Sequence, residues 1–265
     1  MNLLGIPAIF EFESPASWLS RAALSQGVDI KVFRKYINLH RKVDADLAFT
    51  QRYIRHVSKV TGQEPRSFAF VQHMLTSLRL VDRHGQDYLL GHGPTSRYRF
   101  CPVCLSKDRV KTFPLHWRFK AWRWCPLHSC MLRDCCPHCR ALIHLPGAML
   151  AAGAKKEGVA FLDRCLTCGE LLTTDWQRTQ NTLDPSLLVP WEETVMDNGR
   201  AVLSALFHRC IYVEGTGERF SLSGLKRFQR RGLLPHEHFS LTHDEVVRRR
   251  ERQMALNTVT TPQRP

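Results

Sequence analysis

Cys101-Pro-Val-Cys104, Cys125-Pro-Leu-His128, Cys136-Pro-His-Cys139 and Cys165-Leu-Thr-Cys168 are four short ligand pairs within one stretch of the chain. Two ligands three positions apart on a tight turn bite one metal ion. A second pair completes a tetrahedron, and thiolate and imidazole are donors that suit zinc. In chain order the pairs write one site of three cysteines and a histidine (Cys101, Cys104, Cys125, His128), then one of four cysteines (Cys136, Cys139, Cys165, Cys168). The closing loops, 105–124 and 140–164, are 20 and 25 residues long. Buried, unliganded thiols are the alternative, but random burial does not impose the same spacing four times. The chain opens without a secretory leader pattern, so its ten cysteines read as ligands rather than as a disulfide framework. Cys135 stands next to Cys136 and leaves the register of the second site open; the spacing to Cys139 favours Cys136. Cys130, Cys135 and Cys210 are then expected as ordinary buried thiols.

Both ligand sets are closed. A catalytic zinc has three protein ligands and one open position, whereas each set here supplies four. Zinc deaminases pair H-x-E with a later P-C-x-x-C. Here His243-Asp244-Glu245 follows every cysteine, and neither P-C-x-x-C nor H-E-x-x-H occurs. The sequence also shows no acidic cluster suited to two-metal chemistry, no phosphate-cradling loop and no nucleophile motif. The reading is therefore two structural Zn2+ ions and no enzyme.

The 265 residues carry a formal charge of +14 and 43% hydrophobic side chains. Seven ligand thiolates and two dications bring the loaded protein to about +11, still strongly basic. That balance suits a polyanionic partner, nucleic acid or a nucleoprotein complex, over a basic surface kept only for solubility. Met1–Phe10 is apolar but lacks a basic flank and runs into Glu11 and Glu13. It does not read as a signal peptide. No apolar run reaches the ~20 residues of a membrane span. A soluble, cytoplasmic protein is expected.

Four parts are expected: an N-terminal helical region (1–95), a double zinc-finger region (96–175), a basic helical region (176–256) and a frayed tail (257–265). The fold class is mainly α with small zinc-ribbon or zinc-finger modules. Ser14-Pro15 signals a helix start that Trp18, Leu19, Ala22 and Ala23 continue, with Gly27 as the stop. Lys31–Lys42 reads as a second helix with one charged side. Asp44 is expected to cap a helix to about Val60, and a further helix starts near Pro65 with Phe68, Val71, Leu75 and Leu78 inward. Helix, glycine turn, helix is the outline of a helix-turn-helix, an outline that packing alone also produces. Between the first ligands, Leu115, Trp117 and Phe119 alternate with His116, Arg118 and Lys120, a strand pattern with one basic face. The aromatics there read as module core, while Arg118, Lys120 and Arg123 are candidates for phosphate contact. Leu145–Gly158 reads as a loop or short helix. Ala201–Cys210 and Ser223–Arg231 read as helices, and Thr242 as the cap of a last one. Lys226, Arg227, Arg230, Arg231, Arg248, Arg249 and Arg250 complete the nucleic-acid candidates.

These residues together resemble the TniQ family of transposon target selectors, which includes the TnsD proteins. Glu13-Ser14-Pro15-Ala16-Ser17-Trp18-Leu19 is similar to the family's E-S-x-x-S-W-L opening. Arg99-Phe100-Cys101-Pro102-Val103-Cys104-Leu105, then Trp117-Arg118-Phe119, then Cys125-Pro126-Leu127-His128 is similar to its core. Leu132-Arg-Asp-Cys-Cys136-Pro-His-Cys139 with Cys165-Leu-Thr-Cys168-Gly169 forms the third part. The resemblance spans roughly residues 10–172. It implies a bacterial protein that chooses where a transposon inserts without itself cutting or joining DNA. It implies a AAA+ ATPase regulator of the TniB or TnsC kind as partner. It further implies contact with target DNA or with a CRISPR RNA-guided effector complex, in some systems as a homodimer. The chain after residue 172 is shorter than in TnsD-like relatives, whose additional DNA-binding modules lie there.

Overall fold

The computed structural model describes residues 5–91, 93–128, 130–155, 161–174, 190–212 and 216–231. Helix α1 spans Pro15–Ser25, with the Ser14 side chain accepting from the Ser17 amide and proline at the first turn. Trp18, Leu19, Ala22 and Ala23 point inward, and the chain leaves at Gly27 with φ 63°. Helix α2, Ile30–Tyr36, starts on an Asp29 cap and takes up only the first part of the basic stretch. The remainder is turn, tied down by Arg34, whose guanidinium donates to the carbonyls of His40 (2.7 Å) and Val43 (3.0 Å).

Helix α3, Gln51–Thr61, is capped by Thr50 and stopped by Gly62 at φ 73°, where a side chain would be strained. It begins later than the sequence suggests because Asp44 is not its cap. That carboxylate accepts from the Asp46 and Leu47 amides and is committed to Arg118. A 3-10 turn over Pro65–Phe68 leads into α4, Ala69–Val81. The helix–glycine–helix outline is present, and its second helix meets the later chain: the His73 ring nitrogen lies 2.5 Å from the Phe207 carbonyl oxygen, and Phe70 packs on Phe207. Helix α4 thus gives part of its outer side to packing against the later chain.

The zinc-ligand region is built of short pieces: β1 (Arg97–Tyr98), α5 (Pro102–Lys107), β2 (Trp124–Cys125), β3 (Cys130–Met131), β4 (Ile143–His144) and α6 (Met149–Gly153). Strand β1 pairs antiparallel with β4, Arg97 opposite His144. Strand β2 pairs with β3, Cys125 opposite Cys130. The expected strand around Trp117 is absent. Leu115–Arg118 is a 3-10 turn with all four side chains buried, and Trp117 and Phe119 are core residues as expected. Helix α7 spans Pro190–His208, longer than the Ala201–Cys210 reading. Cys210 instead opens β5 (Cys210–Tyr212), which pairs with β6 (Arg219–Ser221) ahead of α8 (Leu225–Arg231). Helix α7 passes so close to residues 121–122 that a Cβ on Gly199 would lie 2.9 Å from the Ala121 carbonyl oxygen. The last expected helix, from Thr242, lies outside the described residues.

One apolar cluster runs from the N-terminal helices through the ligand cysteines to Leu206, Ile211 and Leu225. Trp18 is at its centre, meeting Phe33, Phe49 and Phe68 edge to face at 6.5, 6.1 and 5.3 Å. Its indole nitrogen donates to the Pro7 carbonyl. Among the described residues no helix is long and apolar enough to cross a membrane.

Candidate metal centres

The four donors of the first set converge. Cys101 caps α5, its Sγ accepting from the Cys104 amide, so the C-P-x-C turn is the opening turn of that helix. Cys125 ends β2, and the His128 amide bonds back to the Cys125 carbonyl, closing the second turn. The Nδ1 atom of His128 lies 3.5, 3.3 and 3.6 Å from the sulfurs of Cys101, Cys104 and Cys125, and the Cys104 and Cys125 sulfurs are 3.7 Å apart. Donors on a tetrahedral zinc, at ~2.3 Å for sulfur and ~2.0 Å for nitrogen, stand about 3.8 Å apart sulfur to sulfur and about 3.5 Å sulfur to nitrogen. The geometry fits.

The second set converges as well: Cys136 and Cys168 sulfurs are 3.7 Å apart, Cys139 and Cys165 sulfurs 3.6 Å. Both of its C-x-x-C turns are built alike. The amide four residues after the first cysteine bonds back to that cysteine's carbonyl (Arg140 to Cys136, Gly169 to Cys165) in left-handed conformation, φ 62° and 78°. The chain then folds back, bridging Cys135 with Leu142 and Arg164 with Leu171. Cys136, not Cys135, stands in the cluster. Both clusters are compatible with zinc, and all four donors of each lie within 4.8 Å of one another. Cys130 is more than the spacing suggested: its sulfur is 3.6 Å from that of Cys101, beside the first cluster. The signal available in sequence was only its place two residues after His128.

Arg118, a phosphate-contact candidate by its alternating neighbours, is fully buried and reaches no surface. Its Nη1 donates to Asp44 (2.7 Å) and Asp46 (2.6 Å), and its Nη2 to the other Asp44 oxygen. The Tyr98 hydroxyl donates to Asp46, the Ala16 amide to Asp46 (2.8 Å), and Ser96 to Asp44 (3.2 Å). Burial by itself would raise the Asp44 carboxyl, but its guanidinium contacts, with help from the Leu47 amide and Ser96, outweigh that and hold it below its ordinary value. Burial does raise the Asp46 carboxyl, against the attraction of Arg118. The network locks the segment after α2 onto the segment between the first cluster's ligands.

The motif at the N-terminus serves the same join. Glu13 accepts from Ser17 (2.7 Å) and pairs with Arg21 (2.5 Å), while Ser14 and Leu115 exchange backbone bonds with Phe113 and Phe12. Of the other phosphate-contact candidates, Lys120 and Arg123 are exposed, with the Lys120 ammonium on the Gln86 carbonyl. Lys226 is paired with Asp87 at 2.8 Å, and Arg227 is exposed. Arg230 and Arg231 lie in α8, with their side chains outside the described set. Arg248, Arg249 and Arg250 lie outside the described residues altogether.

A helical core fused to two four-donor Cys/His clusters, each compatible with zinc, defines a scaffold of the metal-knuckle kind. The TniQ family model matches residues 5–132, a stretch that holds the Glu13–Leu19 motif, Arg118 and its two aspartates, and the whole first cluster. The match supports assignment to the TniQ family, a family with a transposition-associated role in target selection. The second cluster lies beyond the matched residues. No curated protein matches the chain.

Proposed function

We propose that this protein is a non-catalytic adaptor that selects the target site for DNA transposition. It recruits a AAA+ transposition regulator to that site and carries structural zinc in both clusters. The supporting observation is where the family-matched residues go. Glu13, Ser14, Ser17, Trp18, Arg118 and the three cysteines of the first cluster all build the interior, and each cluster closes with four donors, leaving no position for substrate or water. Such a molecule acts by presenting a rigid surface. A sequence-specific DNA reader is the competing function, and the contacts that α7 makes with His73 and Phe70 of α4 disfavour it. An RNA-guided effector complex then supplies the address, and this protein joins that complex to the regulator. Immobilised protein should retain a AAA+ ATPase of the TniB or TnsC kind, in the presence of ATP, and should show no strand cleavage or joining by itself. Loss of retention at low salt, or intrinsic strand transfer, contradicts the proposal.

A further inference from the structure

Residues 30–63 contain eight Lys/Arg and two Asp/Glu. Both acids, Asp44 and Asp46, are turned inward onto Arg118. The described surface of that stretch consequently carries positive charge without a compensating acid; Asp29 and Glu64 lie just outside it. On α3 the charge is ordered. Arg52, Arg55 and Lys59 are exposed at spacings of three and four, with His56 beside them, while Ile54, Val57, Ser58 and Thr61 face the core. Lys35, Arg41 and Lys42 are exposed on the neighbouring segment. The Tyr53 hydroxyl, bonded to the Ile37 carbonyl at 3.0 Å, and the Arg34 anchors to residues 40 and 43 hold that segment beside the start of α3.

We infer that this α2–α3 ridge is a binding surface for the phosphate backbone of a nucleic-acid duplex, gripped without regard to base sequence. Three arguments converge. The row on α3 runs ~10 Å along a rigid helix, at ~1.5 Å rise per residue, and a duplex offers one phosphate per ~1.7 Å of axis. Lys and Arg heads without a following groove-entering helix give positioning and no base readout. The ridge exposes three rings, Tyr36, His40 and His56, against seven exposed Lys/Arg heads on α2, α3 and the segment between them, and Tyr53 is committed to Ile37; charge dominating over stacking surface favours a duplex over a single strand. The inference deepens the adaptor reading and rests on it for why the grip is unspecific: the address comes from elsewhere.

The test is fluorescence anisotropy of the isolated full chain with a random-sequence duplex DNA across a salt series. It compares the native protein with Arg52→Gln/Arg55→Gln/Lys59→Gln. Losing three phosphate contacts should lower the slope of log affinity against log salt by about 2.7, at ~0.9 per contact, and weaken binding at least about tenfold at low salt. Arg52→Lys/Arg55→Lys should keep the slope, because charge rather than fork geometry is required. Lys226→Gln/Arg227→Gln should leave it unchanged. Should the triple variant not fold, each single variant is expected to lower the slope by about 0.9. An unchanged slope and affinity in a folded triple variant overturns the inference. Tighter binding to a single strand, or equal competition by polyglutamate, overturns it in favour of an unpaired strand or an acidic protein surface. Because no transposition readout is involved, failure of the ridge and failure of the adaptor function are separate results.

Discussion

Arg118 is buried with two carboxylates, and its partners come from residues 72 and 74 positions away in the chain. Such a triad stabilises only while complete, since removing one member leaves buried charge without a counter-ion. Arg118→Leu should therefore cost about 3–5 kcal/mol in chemical denaturation. Arg118→Lys should recover only part, because one ammonium cannot span both carboxylates. A loss below about 1 kcal/mol in the leucine variant contradicts the network's role. Asp44 gives a pH signature. Its carboxyl is held below the ordinary 3.8 by Arg118 against the pull of burial, so the stability it contributes is complete above that value and lost as pH falls below it. Asp44→Asn should be less stable at neutral pH yet show a flatter acid limb below about pH 4; parallel limbs contradict this. Little of the network was legible in the sequence. An aspartate ahead of a helical pattern reads as a cap, and Arg118 between apolar residues reads as one member of a basic face. Only the chain's return from the first cluster reveals that they meet.

At the scale of elements, what could be read were the signals completed within three or four residues. The Ser14-Pro15 start, the glycine stop of α3 and all four ligand pairs are of this kind, and the structure brings each ligand pair to its partner. The Leu115–Lys120 segment reads as a strand because six residues are too few to separate a period of two from a 3-10 turn, and the polar His116 and Arg118 are buried with their apolar neighbours. The start of α3 was misplaced because Thr50, not Asp44, offers the free side chain. The two clusters also differ in a way spacing does not encode. Cys101, Cys104 and Cys125 are core residues at 0%, 7% and 1% exposure; the second cluster is mixed, with Cys136 and Cys165 in the core but Cys139 facing solvent and Cys168 half-buried. Metal binding and folding are coupled in such modules. The native protein should hold two zinc equivalents per chain. Cys101→Ser should lose one and bring down the main unfolding transition. Cys139→Ser should lose one with a smaller shift, since that ligand faces solvent. Equal shifts contradict the placement of the first cluster inside the core, and unchanged melting in both contradicts structural metal altogether.

For the molecule as a whole, the sequence announced a strongly basic chain but not which face carries the charge. The answer depends on two aspartates being withdrawn into the core, a tertiary fact. The same core continues from Trp18 through the first cluster to α7 and α8, so the family-matched stretch and the later helices share one interior. That continuity suits the rigid body that the proposed adaptor role requires. It also explains why the family's motif residues are buried: they set the shape that the surface presents. The most direct measurement is deep sequencing of insertion sites in cells carrying the complete transposition system, with and without this protein. The account predicts that its removal abolishes insertion at the selected target while the transposase and its regulator remain able to join DNA elsewhere. An unchanged insertion site and frequency in its absence contradicts it.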